Sequence, residues 1–251
     1  FKKVNYIKLN GSKKNKHITV TNISEGLKRF NKFFYIRKPN LICIPCDRSE
    51  MLGPALAAHT NNIPIAHFHG GETSLGSQDE ATRHCLTKIS SLHFVSNNVH
   101  KKRVIQLGEQ PSTVHNVGNL SCENINATKI LNKNKLEKVL KIRPKSTNIL
   151  FTFHPITNDP ETTKKELGEI LKAFRLFKKK INLFVTYPNS DYGKNEVIKY
   201  IYKIKKIKNI DIKIFKNLGN SIYYSLIKYV NCVVGNSSSG LVEVPFLGTQ
   251  S

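Results

Sequence analysis

The sequence predicts an α/β fold built on two parallel sheets, and three observations carry that reading. Apolar strand-like runs alternate with amphipathic helical stretches along the whole 251-residue chain. That alternation implies parallel strands covered by helices on both faces. Polar residues recur where the runs end, and the carboxyl ends of parallel strands are where open sheets bind ligands.

The elements follow in order. Residues 22–37 read as a helix leading into the strand LICIPC, which ends at Asp47 and Arg48. A helix over 50–60 precedes the strand IPIAHFHGG, which runs into a glycine loop. A helix from Asp79 to Ser90, the strand LHFVS, a helix through Val104 and Ile105 and the short strand HNVG complete a first domain, residues 1–128. Residues 129–145 read as a connecting helix and linker, the helix ending before Pro144. The second domain, 146–251, repeats the pattern with strands NILFTFHP, INLFVTYP, IDIKIF and NCVVG. Leu167, Ile170, Leu171, Phe174 and Phe177 fall on one helical face between the first two of these. Helices over Glu196–Ile204 and Ser221–Tyr229 separate the others, and a last helix starts at a serine-rich turn. Two such sheets joined near residues 126–145 leave a cleft between them, the expected place for a ligand.

Composition narrows the function classes. Hydrophobic residues make up 39% of the chain, enough for a packed core. No apolar run is long enough for a membrane span. The amino-terminal FKKVNYIKLN carries no signal-peptide core, so the expected location is the cytoplasm. The five cysteines are odd in number and scattered, and show no disulfide framework. Cys43 and Cys46 form C-x-x-C, but on a strand they face opposite ways and read as small buried residues. A net charge of +23 raises nucleic acid as a partner. However, the charge is mostly lysine spread over helix surfaces, so no nucleic acid is expected; a positive field also draws in an anionic small molecule.

Two stretches carry chemistry. GNSSSG, residues 235–240, follows a strand and opens a helix, a setting in which backbone N–H groups and hydroxyls meet an anion. A plain serine cap is the alternative. Glu243, about one turn on, reads either as an acceptor for ribose hydroxyls or as a first-turn acid that compensates the helix dipole. HFHGGETSLGSQDEATRH, residues 67–84, puts His67 and His69 on one strand face, followed by Gly70 and Gly71. Asp79 and Glu80 begin the next helix, and Arg83 reads as a surface partner of Asp79. Imidazoles and carboxylates around a reacting carbon suit proton transfer. His-x-His also suits a zinc-dependent hydrolase if His84 or His154 joins it.

CDRSEML, NIPIAHFHGGETSLGSQDEATRHCLTKISSLHFVS, RVIQLGEQPSTVHNVG, FHPIT, YPNSDYG and GNSSSGLVEVPFLGT occur in this order. Together they closely resemble the hydrolysing UDP-N-acetylglucosamine 2-epimerases of sialic and legionaminic acid synthesis. The resemblance implies two Rossmann-like domains in a glycosyltransferase-B-like arrangement, a UDP-sugar substrate, a homo-oligomer when complete, and neither metal nor redox cofactor. It also implies release of UDP by elimination, followed by hydration with inversion at C-2. On this resemblance Asp47, His69, Glu72, Asp79 and Glu80 are the catalytic candidates. Arg48, His154, Asn189, Tyr223, Ser237, Ser238 and Glu243 are expected to bind UDP. Many relatives have Glu where this chain has His69, so either His69 or Glu72 takes that role. The His-x-His-Gly-Gly-Glu variant also opens UDP-N,N'-diacetylbacillosamine as the substrate. The family's first substrate loop and last arginine have no counterpart here, so the chain is expected to be a fragment lacking both ends.

Overall fold

The computed structural model describes residues 6, 7, 9, 17–45, 47–74, 77, 79–142, 146–156, 159–188 and 193–251. They form two compact units, Phe1–Asn119 and Leu120–Ser251.

The first unit runs α1 (His17–Arg37), β1 (Ile42–Ile44), α2 (Leu52–Thr60), β2 (Ile65–Phe68), α3 (Asp79–Lys88), β3 (Leu92–Val95), α4 (Asn98–Gln106) and β4 (Val114–Asn116). Its strands are parallel and lie in chain order, β1-β2-β3-β4. Right-handed crossovers between strands that always step the same way put every connecting helix on one face. The registers agree. Ile44, His67, His93 and Val114 are paired in a row across the four strands, and all four are buried. Ile44 and Ile65 pack with Phe34, Ala57, Ala58 and Leu86 of the helices, and Val95 and Val114 pack with Val104. The opposite row, Phe68, Phe94 and His115, is only part-buried or exposed, with Phe68 stacked on Phe94 and Phe94 on His115.

The second unit contains α5 (Leu120–Ala127), α6 (Lys133–Leu140), β5 (Thr147–Thr152), α7 (Pro160–Leu176), β6 (Ile181–Thr186), α8 (Lys194–Ile204), β7 (Ile210–Phe215), α9 (Gly219–Tyr229), β8 (Cys232–Gly235) and α10 (Glu243–Phe246). The parallel order is β7-β6-β5-β8. The chain steps outward from β5 to β7 and then returns to the far side of β5, so α9 must lie on the face opposite α7 and α8. Alternate strand residues therefore enter different cores. Ile149, Phe151, Leu183 and Val185 pack with Leu167, Phe174 and Val197, whereas Leu150 and Phe184 pack with Leu226 and Ile227. Each large apolar side chain buried in this way contributes about 1.5–3 kcal/mol. α7 begins sharply because the Asp159 carboxylate accepts from Thr162 N at 3.0 Å and Pro160 occupies the first turn.

Five sequence expectations change. The first helix starts at His17 rather than 22. The first sheet, among the described residues, carries its apolar core on one face, not two, because its strands never reverse direction. The units part after Asn119 rather than at 128, and residues 129–145 are not a free connector. Ile125, Leu136 and Leu140 sit in one core with Leu150 and Phe184, which ties α5 and α6 to the second unit. Cys43 is exposed on the uncovered face, while Cys46 lies outside the described residues. Finally, the serine-rich turn does not open an α-helix: Ser238–Gly240 is a 3-10 turn, and α10, of only four residues, begins at Glu243. No helix among the described residues is long and apolar enough to cross a membrane.

Candidate active site

In the second unit, β5 and β8 are neighbours that leave the sheet centre by connections of opposite direction, the point where open α/β sheets bind ligands. Gly235 ends β8 with φ 144°, and a Cβ there would collide with the carbonyl oxygen of Thr152. The two strand ends are thus as close as a glycine permits. Asn236 then clasps the β5 exit: its Oδ1 accepts from His154 N at 2.7 Å, and its Nδ2 donates to His154 O at 2.8 Å. Ser237 caps the 3-10 turn, its Oγ accepting from Ser239 N at 3.4 Å. Ser239 is turned inward, where Tyr223 Oη on α9 donates to its Oγ at 2.9 Å. Burial holds the Tyr223 phenol above its usual range, so it stays a neutral donor.

Ser237 is half-buried and Ser238 exposed, both just beyond the end of β8. Glu243 heads α10 rather than sitting one turn inside a helix. A helix of four residues supplies little dipole, so anion binding here would rest on hydroxyls and turn N–H groups. Asn189 lies outside the described residues.

The first unit builds its polar site from charges. Arg83 on α3 is 2% exposed, not a surface residue. Its Nη2 pairs with Asp47 Oδ2 beyond β1 and donates to Ser74 Oγ at 2.8 Å. Its Nη1 donates to Glu72 O at 2.8 Å and to Glu80 Oε2 at 3.0 Å. One guanidinium therefore fixes the β1 exit, the loop after β2 and the first turn of α3. Glu80 Oε2 also accepts from Ser74 N at 2.5 Å. Asp79 is half-buried at the head of α3, its N–H donating to Ser77 Oγ at 3.2 Å. Arg48 is more open, its side chain 45% exposed and 3.5 Å from Glu50.

His67 and His69 do not share a strand face, because β2 ends at Phe68 and His69 takes φ 63°. His67 is buried with Nδ1 3.3 Å from Thr87 Oγ1, and burial, reinforced by His93 and Arg83, lowers its pKa to about 3. His69 turns instead to Glu72, Nδ1 to Oε1 at 2.7 Å. Glu72 Oε1 also accepts from Ser96 Oγ at 2.9 Å, and Ser96 Oγ lies 2.8 Å from His100 Nδ1. Burial works to raise the Glu72 carboxyl, but the hydrogen bond and charge of His69, with Ser96 and His100, hold it below the usual range. His67 faces Thr87 and His69 faces Glu72, so the two imidazoles do not form the shared-face pair expected of a zinc site, and among the described residues no three His, Cys, Asp or Glu side chains are grouped to hold a metal ion.

The structure thus gathers Asp47, Glu72 and Glu80 about Arg83, and His69 about Glu72. Ser237, Tyr223 and His154 gather in the other unit. Arg83, Ser74, Ser96, His100 and Asn236 were absent from the sequence-based set of site residues. Arg83 follows Glu80 by three residues, so their shared helix face was a legible signal; its link to Asp47, 36 residues away, was not.

Known proteins agree with this architecture. The chain is 37% identical, over 90% of its length and 59% of the relative's, to the GDP/UDP-N,N'-diacetylbacillosamine 2-epimerase (hydrolyzing) of Campylobacter jejuni. It is 36% identical to the polysialic acid biosynthesis protein P7 of Escherichia coli, over 90% of its own length and 57% of that protein's. The chain therefore spans somewhat more than half the length of these relatives. Among solved structures, the UDP-GlcNAc 2-epimerase of Methanocaldococcus jannaschii in complex with UDP-GlcNAc and UDP superposes with a TM-score of 0.76. That match has 19% identity and covers 92% of this chain and 64% of that one, so it shows the shared fold. The sequence profile of one family covers residues 2–251, and by that match the chain belongs to the UDP-N-acetylglucosamine 2-epimerase family.

Proposed function

We propose that the protein to which this chain belongs is a hydrolysing 2-epimerase that converts UDP-N-acetylglucosamine and water to N-acetylmannosamine and UDP. The observation that carries the reading is the carboxylate and imidazole network around Arg83 and Glu72, standing at strand exits in a chain of this family. The C-2 hydrogen of the sugar is not beside a carbonyl and is not acidic, so departure of UDP must run ahead of its removal. Positive charge then builds on the ring, and carboxylates stabilise that charge and help move the proton. Asp47, His69, Glu72, Asp79 and Glu80 take these roles. In the second unit Ser237 and Ser238 hold the diphosphate with His154 nearby, Tyr223 meets the uracil, Asn189 belongs to the nucleotide pocket and Glu243 accepts from the ribose; in the first, Arg48 contacts substrate phosphate. Water replaces UDP overall, so the stoichiometry calls for no redox partner. Cys43, Cys85, Cys122 and Cys232 are free thiols, which supports a cytoplasmic setting.

A second reading has a specific observation behind it. The Campylobacter relative is named for the diacetylbacillosamine sugar, and this chain carries the His67-x-His69-Gly-Gly-Glu72 pattern whose resemblance opened that substrate. Incubating the full-length protein with UDP-N-acetylglucosamine and with UDP-N,N'-diacetylbacillosamine, and following products by NMR, separates the two. Free UDP and a free 2-epimeric sugar are expected from one of them. No UDP from either, or a 2-epimer still linked to UDP, would refute hydrolytic epimerisation.

A further inference from the structure

The hydrogen bonds beyond Glu72 have one consistent set of directions. A carboxylate is ionised near neutrality, and Glu72 Oε1 faces two donors, His69 Nδ1 at 2.7 Å and Ser96 Oγ at 2.9 Å, so it accepts only. The hydrogen toward it from His69 must therefore sit on Nδ1. Ser96 spends its single hydrogen on Glu72 Oε1, so its oxygen accepts from His100 Nδ1. His100 Nε2 is left as an acceptor, and Asn97 Nδ2 lies 3.5 Å from it as donor. Burial lowers the His100 pKa, which keeps it in this neutral form. With its hydrogen on Nδ1, the His69 imidazole keeps its lone pair on Nε2.

The backbone holds this chain of groups in place. His69 sits at φ 63°, a conformation that non-glycine residues adopt at a cost of about 1 kcal/mol or more and that recurs at functional sites. The loop is clamped to α4. Gly71 has φ 77°, a Cβ on it would stand 2.5 Å from His100 O, and Arg103 Nη1 donates to Gly71 O. The first turn of α4 is fixed in turn by Asn97, whose Oδ1 accepts from His100 N at 2.9 Å. Side chains of His69 and Glu72 are 22% and 30% exposed, so the dyad is pinned but reachable.

We propose that His69 is the proton-carrying catalytic residue, with Glu72, Ser96 and His100 as a positioning relay that fixes its tautomer. This rests on the reading of the site as a hydrolysing 2-epimerase. His69 Nε2 takes the C-2 hydrogen as a proton, the C–H electron pair becomes the C1=C2 double bond, and the C1–O pair leaves on UDP. The proton passes to solvent, and water then adds across the double bond, oxygen to C-1 and hydrogen to C-2. Glu72 stays ionised throughout and stabilises the imidazolium, the division of labour of a base and its orienting carboxylate.

Two measurements test this. Imidazole ¹⁵N shifts in the 251-residue chain, without substrate, are expected to show His69 with hydrogen on Nδ1 and a bare Nε2; E72Q and S96A should erase that preference. In the full-length protein, His69→Asn keeps a residue that tolerates the left-handed backbone and should slow UDP release by about 10²–10⁴-fold. Ser96→Ala and His100→Asn should slow it roughly tenfold, in kcat more than KM. A His69 with hydrogen on Nε2 in the wild type overturns the proposal, as does an H69N enzyme keeping most of its rate while E72Q is dead. Absence of UDP release from both sugars in the wild type overturns the functional reading itself, whereas the tautomer result speaks to the relay alone.

Discussion

The two units solve the same problem, holding polar groups at the ends of parallel strands, by different means. In the first, the strands run in sequence order and a buried guanidinium and a carboxylate draw four loop and helix segments together. In the second, the strand order reverses, and the crevice is set by main chain: a glycine that lets β8 touch β5, and an asparagine amide that clasps both strand exits. A site made of charges depends on every charge being present. A site made of backbone depends on what has no side chain.

Removing Arg83 should give the largest effect. Arg83→Met leaves Asp47 and Glu80 facing each other without their counter-charge, and breaking a buried ion pair from one side costs about 3–5 kcal/mol. Asp47 and Glu80 are each more than a quarter exposed, so the lower end of that range is expected. Native-state hydrogen exchange should show the loss in β2 and β3 while β5 and β6 keep their protection. An equal loss in both units would mean that their stabilities are not separable in this way.

Next comes Gly235→Ala, the backbone counterpart. The added methyl has no room against Thr152 O, and φ 144° is strained for any side chain. At least about 2 kcal/mol should be lost, in β5 and β8 rather than β2 and β3. A variant as stable as the wild type would show that the strand ends separate easily and that the crevice is not fixed.

The same contrast explains what was legible in the sequence. The alternating strands and helices were, since runs such as INLFVT can be buried only as strands between amphipathic helices. α5 was missed because LSCENINA contributes a single buried residue, Ile125, and has no apolar stripe. The serine turn reads as a helix start in the sequence because three serines and a following LVEV look like a cap and a first turn. The tight 3-10 turn and Pro245 inside α10 instead limit that helix to four residues. The acidic and imidazole candidates were legible as residue types after strands, but not their pairing. Arg83 reads as a helix-surface partner by spacing, and only the fold brings Asp47 to it.

Smaller than either stability effect is the change expected at Ser237. Its hydroxyl sits at the switch point and, among the described residues, makes a long contact to Ser239 N, so Ser237→Ala should leave folding almost unchanged. UDP affinity should fall by about 1–3 kcal/mol, the range for a hydrogen bond to a charged group. Calorimetry with UDP measures this directly. Unchanged affinity would take the diphosphate away from this turn and leave the reversed sheet without its proposed ligand.

The last expectation sharpens the comparison with a pH scan. His67, His93 and His100 are held below the ordinary histidine range, chiefly by burial, and all three belong to the first unit. For His67 the folded value is about 3 against 6.5 when exposed. Between those two values the unfolded chain binds a proton that the folded chain refuses, so stability falls as pH drops from about 6.5 and the loss is complete near 3. Each such group adds a slope of about 1.4 kcal/mol per pH unit within its window. Glu72 acts in the same direction but lower, since its depressed pKa keeps its contribution until the carboxylate itself is protonated. Acid should therefore open β2 and β3 before β5 and β6 in hydrogen exchange. His67→Gln should remove about one proton's worth of slope between pH 6 and 4, whatever it does to stability at pH 7. An unchanged slope would mean that His67 is already charged in the folded protein or reached by water, and the first unit's buried histidine row would no longer distinguish it from the second.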